Sequence, residues 1–113
     1  MCIFCDIIQK EIPAEVVYEN AAALAFLDVY PRSPGHTLVV PKAHAPTILE
    51  LEDAAMAPFS QAVKTVTAMV ALALKPDGFT IGINHGTVSG QEVAQTTAGI
   101  PSRAWYGHRA SRT

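Results

Sequence analysis

The feature that most constrains the fold is a run of apolar residues between Asp53 and Leu74. Apolar side chains recur there at spacings of three and four, at Met56, Phe59, Val63, Val66, Val70 and Leu74. This periodicity predicts an amphipathic helix whose apolar face is buried against another element. Lys75-Pro76-Asp77-Gly78 should end it, because Pro76 cannot continue the helical hydrogen bonds and Gly78 can adopt a left-handed turn. Pro58 fits this helix if it lies in the first turn.

Short strand patterns flank this helix on both sides. Val16–Glu19 and Ala22–Asp28 read as a hairpin, and His36–Pro41 is a β-branched run that a proline stops. Phe79–Asn84 resumes the strand pattern after the helix. The order hairpin, strand, helix, strand predicts an α+β domain with a mainly antiparallel sheet and one helix covering a face.

Length and charge favour one globular domain followed by a different tail. The chain has 113 residues, 50% apolar and 16% charged, with a formal net charge of −2, which allows a packed core and an apolar subunit interface. Every acidic residue lies at or before Glu92, whereas Arg103, Arg109 and Arg112 follow without acidic neighbours. We therefore expect a domain over 1–93 and a divergent, frayed basic tail over 94–113, with too few arginines to favour nucleic-acid binding.

The cysteines and the N-terminus indicate a reducing compartment. The opening MCIFCDIIQKE has no basic residues before its short apolar run, so we expect neither a signal peptide nor a membrane span. Two cysteines in such a chain are expected to be reduced thiols or metal ligands. These expectations together favour a cytoplasmic protein that does not bind membranes.

Three local patterns could carry chemistry. Cys2-x-x-Cys5 is half of a tetrahedral zinc site and His44 is a natural third ligand, although cysteines near a terminus can also be simple apolar residues. Residues 84–91 combine glycines, hydroxyls and an amide after a strand, which suits either an anion-binding turn or an ordinary polar loop. Asp28 could bind a ribose diol or cap a turn.

Three longer segments occur in a fixed order: CIFCDII, then FLDVYPRSPGHTLVVPKAH, then GINHGTVSGQEV. Over residues 2–93 they strongly resemble the histidine-triad (HIT) family of nucleotide hydrolases and transferases. The resemblance implies a five-stranded antiparallel sheet with one long helix, a homodimer, and a pocket for a purine nucleoside monophosphate or nucleotide conjugate. The pocket residues that it implies are Phe4, Ile7, Phe26 and Val29 around the base, Asp28 on the ribose, and Asn84, Ser89, Gly90 and Gln91 beside the phosphate.

The resemblance also implies a zinc site. Family members that open with C-x-x-C bind zinc through these cysteines, the histidine of P-K-x-H and a further histidine. Cys2, Cys5 and His44 match three of these ligands. The fourth is usually the first histidine of the triad, where this chain has Gln95, so the resemblance implies an incomplete site.

The departure from the family lies after Val93. Family members continue with H-x-H-x-H on the closing strand, and the middle histidine attacks the α-phosphate. The aligned positions here are Gln95, Thr97 and Gly99, none of which can replace an imidazole nucleophile near neutral pH. Gly99 and Pro101 are also unfavourable in a central strand, so the last strand is doubtful.

We therefore expect no catalytic residues in this chain and a nucleotide pocket in which the ancestral nucleotidyl transfer or hydrolysis is lost or impaired. Two alternatives stay open. The chain could be a non-catalytic dimerising or interaction domain, or a frame-altered form of an active HIT hydrolase.

Overall fold

The computed structural model describes residues 2–28, 35–86, 88, 91, 93, 95–100 and 102–103. Over these residues the helices are α1 (Ile3–Ile8) and α2 (Asp53–Leu74), with a 3₁₀ turn at Ile48–Glu50. The strands are β1 (Val16–Glu19), β2 (Ala23–Leu27), β3 (Thr37–Pro41), β4 (Gly78–Phe79), β5 (Gly82–Ile83), β6 (Ala98–Ile100) and β7 (Ser102–Arg103).

Five of these strands form one antiparallel sheet in the order β1-β2-β3-β6-β5. The predicted α+β fold with a five-stranded antiparallel sheet and one long helix is therefore confirmed. The doubtful last strand is β6, which lies between β3 and β5 and extends the sheet beyond residue 93. Gly99 is accommodated because it pairs with Gly82 on one side and Leu38 on the other.

Alternate residues of the sheet are buried on opposite faces. One cluster lies between the sheet and α2. It includes Ala23, Ala25, Val39, Ala98 and Ile100 from the sheet and Phe59, Ala62, Val66 and Val70 from α2. The other lies between the sheet and α1, and it comprises Ile7 from α1 and Leu24, Phe26 and Val40 from the sheet. Fully burying a side chain such as leucine or phenylalanine stabilises a fold by about 1.5–3 kcal/mol. The sheet thus carries the main core on its α2 face and leaves the α1 face to shape a cavity.

Helix α2 begins and ends where its periodicity predicts, but both terminal details differ. Pro58 lies beyond the first turn, so the helix lacks the hydrogen bond that its N–H would have donated to Ala54. The left-handed residue at the C-terminus is Lys75, with φ 48° and ψ 52°, whereas Gly78 begins β4. The terminating segment therefore ends α2 as predicted, but Lys75 rather than Gly78 is left-handed, and Pro58 does not meet the first-turn condition.

Helix α2 is also long and apolar enough to cross a membrane by length and composition alone. Its residues Phe59, Val66 and Val70 are buried in the cluster on the sheet. The expectation that the chain has no membrane span stays a prediction.

The predicted strand Phe79–Asn84 is two strands in the structure. Thr80 and Ile81 separate β4 from β5. β4 pairs with β7, whereas β5 pairs with β6, so the two halves belong to different sheets. Helix α1 was not predicted at all, because six residues are too few to show a helical period.

Candidate functional site

A cavity of about 700 Å³ opens on the α1 face of the sheet. Its apolar end is lined by Phe4 and Ile7 from α1 and by Phe26 from β2. The rings of Phe4 and Phe26 meet edge to face, with centroids 5.4 Å apart and planes inclined at 67°. These three predicted base-contacting residues are therefore brought together, and they offer an aromatic and aliphatic surface for a planar group.

Asp28 and His36 line the cavity beside this apolar end. The pairing of β2 with β3, which includes Leu27 and Thr37, is continued by one more hydrogen bond beyond the strand ends. The Asp28 N–H donates to the His36 carbonyl oxygen at 2.9 Å. The side chains also meet: His36 Nδ1 lies 3.3 Å from Asp28 Oδ2. Asp28 is where the sequence predicts a ribose ligand, but sequence reasoning missed His36, whose position opposite Asp28 depends on the strand register.

The three positions expected to form an empty catalytic row all face the cavity. Gln95, Thr97 and Gly99 line it, whereas the alternating residues Ala98 and Ile100 are buried in the cluster on the α2 side. Within β6 this is the period-two alternation of a strand, whereas Gln95 and Thr97 lie in the segment that precedes it. The Thr97 hydroxyl donates to the Gln95 carbonyl oxygen at 2.8 Å. The cavity is therefore lined here by Gln95, by a hydroxyl bonded to the backbone, and by a glycine of β6.

The loop after β5 is organised by the side chain of Gln91. Its Nε2 donates to the carbonyl oxygens of Pro46 and Val93, and its Oε1 accepts from Gly86 N–H at 2.7 Å. Gln91 and Asn84 both line the cavity. Gln91 can therefore act on a ligand mainly by holding this loop in place, because its amide already makes three hydrogen bonds within the protein.

Three of the predicted pocket residues, Val29, Ser89 and Gly90, lie outside the described residues. His85, the neighbour of Asn84, is exposed and is not part of the cavity lining. The predicted nucleotide residues that the structure brings together are Phe4, Ile7, Phe26, Asp28, Asn84 and Gln91.

Comparison with known proteins matches this architecture to one family. The sequence model of the HIT domain matches residues 9–96. The chain belongs to the HIT-domain family. It is 53% identical over 93 residues to a HIT-like protein of Methanocaldococcus jannaschii, covering 82% of this chain and 71% of that relative.

Other HIT proteins show similar agreement. An adenosine 5′-monophosphoramidase of Schizosaccharomyces pombe is 41% identical over 92 residues, which is 81% of this chain and 66% of the relative. Among solved structures, a HIT-like protein of Bartonella henselae described as involved in cell-cycle regulation superposes with a TM-score of 0.89 at 34% identity. That match covers 91% of this chain and 80% of the other.

A cluster of side chains that could hold a metal ion lies where the HIT resemblance implies zinc. The ligand atoms of Cys2, Cys5 and His44 all lie within 4.8 Å of one another, and Cys5 Sγ is 3.1 Å from His44 Nδ1. Two ligand atoms on one tetrahedral zinc lie about 3.3–3.8 Å apart, so these three donors fit the ion with small movements. Burial raises the pKa of the Cys5 thiol to about 11, and the hydrogen bond with the nearby Cys2 contributes less to this increase. A metal ion would therefore have to displace the thiol proton in order to bind Cys5.

Gln95 does not join this cluster of candidate ligands. Its Oε1 accepts from Ala45 N–H at 2.9 Å, and its Nε2 donates to the carbonyl oxygens of Pro41 at 2.8 Å and Ala43 at 3.1 Å. The side chain is 1% exposed, so these bonds are made in the interior. The amide therefore fixes the segment that leads to His44 by hydrogen bonds, and any fourth zinc ligand must come from elsewhere.

Proposed function

We propose that this cavity binds a purine nucleoside monophosphate or a nucleotide conjugate, and that histidine-dependent nucleotidyl transfer is lost or severely impaired in this chain. The observation that carries the proposal is the cavity lining: an apolar end, a carboxylate beside it, and a row of three residues without an imidazole. Membership of the HIT family supports the nucleotide class, as does the monophosphoramidase named for the fission-yeast relative.

Binding would use the cavity from end to end. The base would contact Phe4 and Phe26, where buried ring surface and edge-to-face geometry favour a flat heterocycle. Asp28 would accept hydrogen bonds from the ribose hydroxyls, each worth about 1.5–3 kcal/mol when one partner is charged. The phosphate would then extend towards Asn84 and the row that includes Thr97.

Loss of catalysis follows from the chemistry of that row. An amide nitrogen is not nucleophilic, and Gly99 has no side chain. The Thr97 hydroxyl hydrogen is bound to the Gln95 carbonyl rather than to a general base. Removing a nucleophile from an enzyme of this type leaves a rate lower by orders of magnitude.

The binding proposal is tested by calorimetry with AMP and with 2′-deoxy-AMP. The intact chain should bind AMP more tightly, because the deoxy ligand lacks one of the hydroxyls offered to Asp28. Asp28→Ala should weaken AMP binding by about tenfold or more and remove the preference for AMP. Asp77→Ala, at an exposed position outside the cavity lining, is the matched control. Unchanged discrimination in Asp28→Ala would refute the ribose role.

The catalytic proposal is tested by release of AMP from an AMP phosphoramidate. The purified chain should give the rate of the enzyme-free blank. Turnover clearly above the blank would show that another group makes the attack. A second candidate function, a non-catalytic dimerising domain, predicts no rise in melting temperature at millimolar AMP.

Zinc binding is a further part of the proposal. The ion would be held by Cys2, Cys5 and His44, and a non-protein ligand would take the fourth position. Zinc would thereby cross-link α1 to the segment after β3. Zinc affinity measured by competition with a chromogenic chelator should fall in Cys5→Ser. Equal affinity in the variant would contradict this assignment.

We also propose that the chain forms a homodimer. Exposed apolar side chains on α2 and near β5 support it, namely Met69, Leu72, Leu74, Ile81 and Ile83. Light scattering coupled to size-exclusion chromatography should give twice the monomer mass, and a monomer at micromolar concentration would contradict the proposal.

A further inference from the structure

The side chain of Gln95 holds the backbone on both sides of His44. Its Nε2 donates to the Ala43 carbonyl oxygen at 3.1 Å, and its Oε1 accepts from the Ala45 N–H at 2.9 Å. Thr96 adds two hydrogen bonds to the Ala45 carbonyl oxygen, from its N–H at 2.7 Å and from its hydroxyl at 2.9 Å. Because Gln95 and Thr96 are both buried, these bonds fix the position of His44 relative to the sheet.

The same hydrogen bonds remove Gln95 from the candidate metal ligands. Its oxygen accepts from Ala45 N–H in the interior, and its amide nitrogen can only donate. Among the described residues, Cys2, Cys5 and His44 form the cluster of candidate ligand atoms, and no carboxylate oxygen joins it. The described part of the chain therefore supplies three donors for an ion that takes four.

These three donors can be reached from solvent, since His44 is exposed and both cysteines are only partly buried. Four protein ligands close a zinc site, whereas three leave one position to a molecule from solution. Two of the three donors are sulfur atoms, so the set is soft and suits a further sulfur. A thiolate from solution would complete a Cys₃His-type donor set, which is one of the common tetrahedral zinc sets.

We propose that Cys2, Cys5 and His44 form an open metal site whose fourth position takes the thiolate of a small thiol from solution. The inference rests on the proposed zinc binding and adds the chemical class of the fourth ligand. The thiol loses its proton to solvent and its sulfur donates a lone pair to the ion, so neither cysteine is oxidised or reduced. Gln95 is a positioning residue, because it holds His44 beside the cysteines and stays off the ion.

The test uses cobalt(II) in place of zinc, because a thiolate bound to cobalt absorbs in the near ultraviolet whereas zinc has no such signal. The probe is 2-mercaptoethanol, and ethylene glycol, which has a hydroxyl in place of the thiol, is the matched compound. On the cobalt-loaded chain under argon, the thiol should raise the near-ultraviolet absorbance per cobalt by about half, since a third thiolate joins two. The rise should saturate, and ethylene glycol should cause none. Equilibrium dialysis against the same thiol measures whether cobalt stays on the chain.

Replacing Gln95 by histidine tests the role of this residue. Gln95→His removes the hydrogen bonds to Ala43 and Ala45 and offers an imidazole to the ion, so its cobalt spectrum should no longer respond to 2-mercaptoethanol. Gln61→His is the matched control, since it makes the same change at an exposed position of α2 and should keep the full response. Far-UV circular dichroism establishes that each variant is folded. The titration of the intact chain decides the question if Gln95→His does not fold.

The outcomes separate the inference from the metal site on which it rests. If Cys5→Ser binds cobalt with the spectrum of the intact chain, the proposed metal site is wrong and the inference falls with it. If cobalt binds through the cluster but the thiol changes nothing, the metal site stands and its open position is refuted. A response that appears only in His85→Asn or His108→Asn refutes it too, because the chain then supplies the fourth ligand itself.

Loss of cobalt to the thiol during dialysis also overturns the inference, since the thiol then removes the ion instead of joining it. A response that persists in folded Gln95→His contradicts the role given to Gln95. A saturable rise in the intact chain, with cobalt retained, supports the open site.

Discussion

Replacing Gln95 by glutamate tests whether its amide holds the segment that leads to His44. Gln95→Glu keeps the shape and still accepts from Ala45 N–H, but it puts an oxygen where Nε2 donates to Pro41 and Ala43. Pro41 is buried, so its carbonyl loses a partner that water cannot replace, whereas exposed Ala43 can bond to water. We expect a loss of at least about 2–4 kcal/mol in unfolding free energy, because the variant buries a carboxylate against carbonyl oxygens and leaves the Pro41 carbonyl without its donor.

The assay is urea unfolding at neutral pH, followed by far-UV circular dichroism. For a slope of about 2 kcal/mol per M, the midpoint should fall by about 1–2 M with the slope unchanged. Gln61→Glu makes the same chemical change on the exposed side of α2 and should shift stability by no more than about 0.5 kcal/mol. A Gln95→Glu midpoint equal to that of Gln61→Glu would refute the role assigned to the amide.

Three further changes probe the scaffold by the same unfolding assay. Phe59→Ala should cost about 3–5 kcal/mol because Phe59 is 2% exposed, while Leu72→Ala, at 78% exposure, should cost little. Lys75→Gly should add about 0.5–1 kcal/mol, because Lys75 is left-handed at the end of α2. Hydrogen bonds to lysines, Lys42 first, lower the pKa of Glu19. The stability that Glu19→Gln removes should therefore be seen at neutral pH and vanish as pH falls through that lowered pKa.

The sequence predicts those parts of the fold that depend on local pattern. Helix α2 has the predicted bounds because its periodicity and its terminating residues are read from neighbouring positions. The predicted strand Phe79–Asn84 is two strands in the structure, because its first part pairs with β7 and its second part pairs with β6. No pattern within six residues could reveal that division.

The candidate site shows the same limit. Phe4, Ile7 and Phe26 could be placed together through the family resemblance. His36 could not, because its contact with Asp28 depends on how β2 and β3 are aligned. The hydrogen bonds of Gln95 join residues 50 to 54 positions apart, so they are visible only after the sheet is closed.

The place of β6 in the sheet has a consequence for how the protein is made. Thr37 pairs with Ile100, and β5 joins the sheet through β6 alone. During synthesis, β5 and the edge of β3 that faces away from β2 therefore wait for a partner until residues 98–100 have left the ribosome. Pairing between distant segments is slow to form and leaves strand edges exposed meanwhile. The cavity wall that carries Gly99 is thus the last part of the sheet to be completed. A ligand that needs this wall would bind only chains whose folding is finished.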